Sequence, residues 1–214
     1  KFDIINTMGT SYSRLFHGIE SFFSNKASAG SWNPANIISR NTWGGTAVDV
    51  SATLWPPTYA EKSTKFVVHH TVSTNYSCST YTQDEAEADV RAIWSYHTYT
   101  RDWGDIGYNY LVDPCGRVFE GRLGGNNVIA GHAAPYNFWS KAEGDGIYDE
   151  ASIGVSVMGD YSYLAPNTDI IESLGRIIGY KSYENGINPL GTSYFVDKTT
   201  YNIAGHRDYT STAC

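Results

Sequence analysis

Three side chains of this 214-residue sequence have types and settings that could do chemistry together: His69, His206 and Cys214. His69 closes the apolar run FVVH, so its imidazole projects from the end of a rigid strand. His206 follows Ala-Gly and precedes Arg-Asp, again where a strand gives way to a loop. Cys214 comes eight residues after His206, far enough for a loop to return the thiol to the same point. Two imidazoles and one thiolate, with a fourth position left for water, are the ligand set of a catalytic zinc site. A His and a Cys at that spacing also occur together by chance, so the assignment needs support from the surrounding sequence. The other histidines have plainer readings. His70 points to the opposite face of the strand from His69. His97 lies on the apolar stripe of a helix and reads as buried and hydrogen-bonded. His17 carries no signal.

The elements that must position these residues can be read from pattern and turn chemistry. FVVHH (66–70) is a β-branched run typical of a buried strand. Thr82-Gln83-Asp84-Glu85 is a capping-box signature, followed by Ala86, Val90, Ile93, Trp94 and His97 on one helical face. IGYNYLV (106–112) and RVFEG (117–121) read as two strands around the turn Asp113-Pro114-Cys115-Gly116. SIGVSVMG (152–159) is an alternating strand with a glycine inside it. Ile170, Ile171, Leu174, Ile177 and Ile178 mark a second amphipathic helix, and NIAGH (202–206) a short strand. Strands interleaved with helices predict an α/β sheet with helices packed on it. Upstream, Tyr12, Leu15, Phe16, Ile19, Phe22 and Phe23 recur at helical spacing, and NKASAGSWNP (25–34) reads as a linker. Residues 1–36 are therefore expected to form a helical appendage and linker, and 37–214 the main domain. The start at Lys1 reads as processed or trimmed.

Several blocks occur in a telling order: HHT (69–71), WGDIGYNYLVD (103–113), GRVFEGR (116–122), SIGVSVMGDY (152–161) and AGHRDYTSTAC (204–214), preceded by IISRNTWGG (37–45). Together they resemble the peptidoglycan-recognition proteins and the related type 2 N-acetylmuramoyl-L-alanine amidases, over roughly residues 37–214. The resemblance implies a central mixed β-sheet flanked by helices. It implies Zn2+ held by His69, His206 and Cys214, with Tyr108 beside the reacting water and Thr212, two residues before the cysteine, facing the metal. It implies that the loop Ala130-Gly131-His132 lines the substrate cleft, with Asn137 and Trp139 as further substrate-binding candidates. Trp139 lies in the polar loop PYNFWSK, where an indole is free to stack on a sugar; Trp94 and Trp103 read as core.

The implied activity is zinc-dependent hydrolysis of the amide between N-acetylmuramic acid and L-alanine in bacterial peptidoglycan. Members that only recognise peptidoglycan commonly lack the ligand cysteine, which this chain keeps; a non-catalytic recognition module is the alternative. The three cysteines are an odd number, so one stands apart. The resemblance pairs Cys78 with Cys115, as in bacterial members, and leaves Cys214 for the metal. Closing that loop of about 38 residues would stabilise the fold by roughly 3–4 kcal/mol. A secreted protein acting at the cell wall is expected, since a wall substrate and a disulfide both belong outside the reducing cytosol.

The bulk properties agree. The formal net charge is −7, and the 15 Lys and Arg form no basic run, which argues against nucleic acid and anionic membrane as partners. No apolar stretch approaches the ~18 residues of a membrane span. A peptidoglycan or muropeptide substrate would therefore be held by hydrogen bonds and stacking rather than by net charge.

Overall fold

The computed structural model describes residues 36–46, 54–133, 148–212 and 214. The expected N-terminal helix, the linker, Asn137 and Trp139 lie outside the described residues. Among the described residues, six strands form one mixed sheet: β1 (Ile37–Ile38), β2 (Lys65–His70), β3 (Tyr110–Val112), β4 (Val118–Glu120), β5 (Ser152–Val157) and β8 (Ile203–Gly205), in the order β1-β4-β3-β5-β2-β8. β3 and β4 are an antiparallel hairpin, whereas β3, β5, β2 and β8 run parallel. A separate hairpin pairs β6 (Thr192–Phe195) with β7 (Lys198–Tyr201). No helix among the described residues is long and apolar enough to cross a membrane.

Among the described residues three helices cover the two faces, and the strand alternation decides which face each residue serves. On one face Phe66, Ile153, Val155, Val157 and Val112 pack against Ile170, Leu174, Ile177 and Ile178 of α3 (Thr168–Asn185). Asn167 caps that helix through Ile170 N–H, and Gly186 ends it in the left-handed region at φ +62°. On the other face Leu111 and Phe119 meet Trp43 of α1 (Arg40–Gly44) and Ala86, Val90 and Trp94 of α2 (Gln83–Ser95). The expected capping box closes α2: Thr82 Oγ1 accepts from Glu85 N–H, and Glu85 accepts from Thr82 N–H at 2.8 Å. A π-helical turn, Tyr96–Thr100, follows, so His97 sits just beyond α2 rather than within it.

α1 and α2 pack on the β4–β3 side of the second face. On its β5–β2 side the sequence turns small. β5 sends Ile153, Val155 and Val157 towards α3, and Gly154 and Ser156 the other way. Their register partners on β2 are Val67 and His69. Small residues there leave room above the sheet beside His69.

The segment 106–112 departs from the expected strand, of which only Tyr110–Val112 is regular. Gly107 N–H donates to His97 Nδ1 at 3.1 Å instead of to a neighbouring strand. Asn109 then holds β5 with backbone and side chain together, its N–H donating to the Gly154 carbonyl at 2.9 Å and its Oδ1 accepting from Gly154 N–H at 2.8 Å. The Asp113–Gly116 turn forms as expected, with Gly116 at φ +75°. Cys78 and Cys115 are joined in a disulfide that ties the loop before α2 to this turn.

Lys65, the first residue of β2, is fully buried, with no carboxylate paired to it among the described residues. Its ammonium donates to the carbonyls of Ser193, Thr200 and Tyr201 and to Asn202 Oδ1, at 2.6–3.2 Å. This cage fastens the β6–β7 hairpin and the start of β8, the strand that delivers His206, to the strand that delivers His69. Lys65→Met strips those oxygens of their donor, and buried acceptors left unpaired cost about 1–3 kcal/mol each in mutational series. We expect Lys65→Met to lower unfolding stability by about 2–3 kcal/mol in urea; an unchanged midpoint would mean that water replaces the ammonium at no cost.

Candidate metal centre

The parallel strands end at one edge of the sheet, where ligand sites of open α/β sheets form. β2 and β8 pair with Val68 opposite Gly205, so His69 and His206 leave the two strands side by side. Their ring centroids are 4.5 Å apart. After the short 3-10 turn His206–Asp208 the chain returns, and Cys214 Sγ arrives 3.9 Å from His69 Nδ1. One ligand atom from each of His69, His206 and Cys214 lies within 4.8 Å of the others. Bonds of ~2.0–2.1 Å to nitrogen and ~2.3 Å to sulfur put the donors of a tetrahedral zinc about 3.3–3.7 Å apart. The spacing, the donor set of two nitrogens and one sulfur, and the chain's lack of a fourth protein ligand among the described residues fit an ion with one coordination position open.

The electrostatics suit a cation. Burial, then the neighbouring His132, His206 and His70, hold His69 well below the usual histidine range. Burial, reinforced by His70, takes His206 down to about 4. Both imidazoles are therefore neutral at neutral pH and carry a lone pair. Burial raises the Cys214 thiol, a shift that a metal reverses by binding the thiolate. His70 N–H donates to Cys214 Sγ at 3.3 Å and would support the negative sulfur. Cys214 N–H donates to Thr212 Oγ1 at 3.2 Å, fixing the approach of the thiol.

The remaining candidates divide between the site and its supports. Tyr108 stands with its ring 5.3 Å from that of His69, and burial followed by proximity to Cys214 raises its hydroxyl above the normal tyrosine range. His70 is turned away as expected, with Nδ1 accepting from Tyr161 N–H at 2.8 Å. His97 is buried and hydrogen-bonded; its ring lies 4.6 Å from Trp103 and 5.5 Å from Tyr108, so it props the segment bearing the tyrosine. Trp94 is buried in the core.

His132, expected along the cleft, stands behind His69. Its side chain is fully buried, with one ring nitrogen 3.0 Å from His69 Nε2 and the other 3.1 Å from Ser152 Oγ. Ser152, Gly154 and Asp149 were not apparent as site residues from spacing. The glycine inside SIGVSV was the available signal, since a glycine in a strand often marks a close approach.

A family profile described as N-acetylmuramoyl-L-alanine amidase matches residues 59–214. Peptidoglycan-recognition protein SC2 of Drosophila melanogaster is 33% identical over 178 residues, covering 83% of this chain and 79% of the relative. The chain belongs to the peptidoglycan-recognition protein and type 2 amidase family. Among solved structures, wild-type Drosophila PGRP-LB aligns with a TM-score of 0.62 at 22% identity, covering 83% of this chain and 86% of that one. PGRP-LE in complex with tracheal cytotoxin, a monomeric diaminopimelic acid-type peptidoglycan, aligns with a TM-score of 0.62 at 21% identity, over 83% and 86% of the two chains. These likenesses establish the mixed sheet with flanking helices as the family fold.

Burial also sets a pH dependence. His97 falls from 6.5 to about 4, chiefly by desolvation and secondarily through Arg101 and Arg122. Between those values the unfolded chain takes up a proton that the folded chain does not, so stability falls as pH drops through this window and is constant above it. The metal-free protein should therefore lose urea resistance from about pH 6.5 to pH 4, and His97→Gln, which cannot titrate, should show a shallower loss. Equal slopes in the two proteins would remove His97 from the account.

Proposed function

We propose that this chain is a zinc-dependent amidase that hydrolyses the bond between N-acetylmuramic acid and L-alanine in bacterial peptidoglycan, outside the cell. The observation that carries the proposal is the meeting of the Cys214 thiol with His69 and His206 at the sheet edge. A family member that only bound its ligand would have no need of that thiol. The match to the amidase profile supports the reaction, and the complex formed by the structural neighbour PGRP-LE supports the substrate class. The Cys78–Cys115 disulfide supports an oxidising location.

Zinc, when bound, supplies a water acidified to near-neutral pKa and polarises the amide carbonyl. The chain's own groups do the rest. Two neutral imidazoles and the sulfur, steadied by His70 N–H, leave one side of the site for substrate. Tyr108 keeps its proton at neutral pH because burial raises its pKa, so it can donate to the oxygen that gains charge as the carbonyl is attacked. The same hydroxyl can relay to the departing alanine nitrogen the proton that the attacking water gives up, and so ends the cycle protonated. Thr212 accepts from Cys214 N–H and keeps its own O–H as an uncharged donor towards the site. Asn137 and Trp139 are proposed to hold the sugar and peptide.

Mass spectrometry of material released from purified peptidoglycan should detect stem peptides with a new L-alanine amino terminus, with zinc but not with a chelator. Cys214→Ser should abolish zinc retention and release while keeping the fold. Tyr108→Phe should keep zinc and slow turnover about 10²–10³-fold, the usual effect of removing one such donor. Retention on the wall without release, zinc being present, would favour a recognition module. Because both histidines are already neutral and the thiol is not ionised, zinc uptake at about pH 6, below the ionisation of a zinc-bound water, should release about one proton, read by calorimetry in buffers of differing ionisation enthalpy. Release of about two would mean that a histidine enters protonated.

A further inference from the structure

Behind His69 a chain of hydrogen bonds ends on a group that can only accept. Ser152 Oγ lies 2.6 Å from the carbonyl oxygen of Tyr148. A carbonyl has no proton to give, so the single serine proton points there. Towards His132 Nε2, 3.1 Å away, the serine oxygen can then offer only a lone pair, which requires His132 to carry its proton on Nε2. His132 Nδ1 is left bare and accepts across 3.0 Å from His69 Nε2–H. His69 must therefore present an unprotonated Nδ1, the atom that faces Cys214 Sγ.

Nearby residues hold His132 to this task. Asp149 Oδ1 accepts from His132 N–H at 2.8 Å and from Ala133 N–H at 2.6 Å, fixing the backbone that carries the ring. The ring packs against Gly154, where a Cβ would come within 2.4 Å of His132 Cδ2. No other residue type fits under it without moving the imidazole.

We propose that Ser152 and His132 are positioning residues that lock His69 into the Nε2–H tautomer and so aim its Nδ1 lone pair at the metal position, with Gly154 providing the space. The proposal rests on the zinc reading for its purpose, whereas the tautomer is a property of the metal-free protein. Partners of this kind typically change metal affinity 10–100-fold when removed.

Two readouts test it. Long-range proton–nitrogen correlation spectra of metal-free, ¹⁵N-labelled protein report the tautomer of His69. Chelator competition reports zinc affinity. The wild type should show His69 protonated on Nε2. His132→Phe, which keeps the bulk and removes the acceptor, should lose that single tautomer and weaken zinc binding about 10–100-fold. His132→Asn, whose amide oxygen takes the place of Nδ1, should recover most of both. Gly154→Ala, which displaces the ring without changing its chemistry, should behave like His132→Phe. If His132→Phe does not fold, Ser152→Ala gives the same direction through loss of the serine acceptor. A wild-type His69 protonated on Nδ1, or a folded His132→Phe with unchanged tautomer and zinc affinity, would overturn the proposal. A wild type with the expected tautomer that retained no zinc would sink the zinc amidase and leave the hydrogen-bond chain standing.

Discussion

The parallel register of β2 and β8, with Val68 opposite Gly205, is the constraint from which the site follows. It carries His69 and His206 off neighbouring strands at one level, and a slip of one residue would send His69 into the apolar layer beneath α3. Much of the fold serves to hold that register. The Lys65 cage clamps the segment entering β8 to the first residue of β2. β5 pairs with β2 along its whole length, from Lys65 opposite Ser152 to His70 opposite Val157, so the strand that carries Ser152 and Gly154 is indexed to the strand that carries the ligand.

The second determinant is the division of the sheet's two faces. One is filled by branched side chains under α3; the other changes along its width from bulky residues beneath α1 and α2 to Gly154 and Ser156 beside His69. That space is occupied by polar groups that point inward. Their desolvation keeps the histidines neutral, and neutral imidazoles beside a buried thiol make a site with unused lone pairs and little charge of its own. A divalent cation would supply what such a site lacks.

Much of this was legible in the sequence, and the reasons differ from one element to the next. The capping box at Thr82–Glu85 is local chemistry and forms as read. The periodicity of residues 170–178 identifies α3 because that helix has a single apolar face. The three candidate ligands could be named because two sit at strand ends, the third follows eight residues after the second, and all lie within blocks that resemble a known family. The strand expected from Ile106 is regular only from Tyr110; a tertiary bond to His97 takes the Gly107 N–H out of any ladder, and Tyr108 and Asn109 rejoin the neighbouring chain through their backbone. The family resemblance suggested the cleft for His132, and a loop histidine has no pattern that reveals its depth. Only the three-dimensional pairing with His69, Ser152 and Gly154 shows that it lies beneath the site.

X-ray absorption at the zinc edge, on protein loaded with one equivalent of zinc, tests the central claim most directly. The account predicts one sulfur at ~2.3 Å and two imidazole nitrogens at ~2.0–2.1 Å, with a light atom completing four-coordination. A shell of nitrogen and oxygen alone would place the metal away from Cys214 and contradict the account.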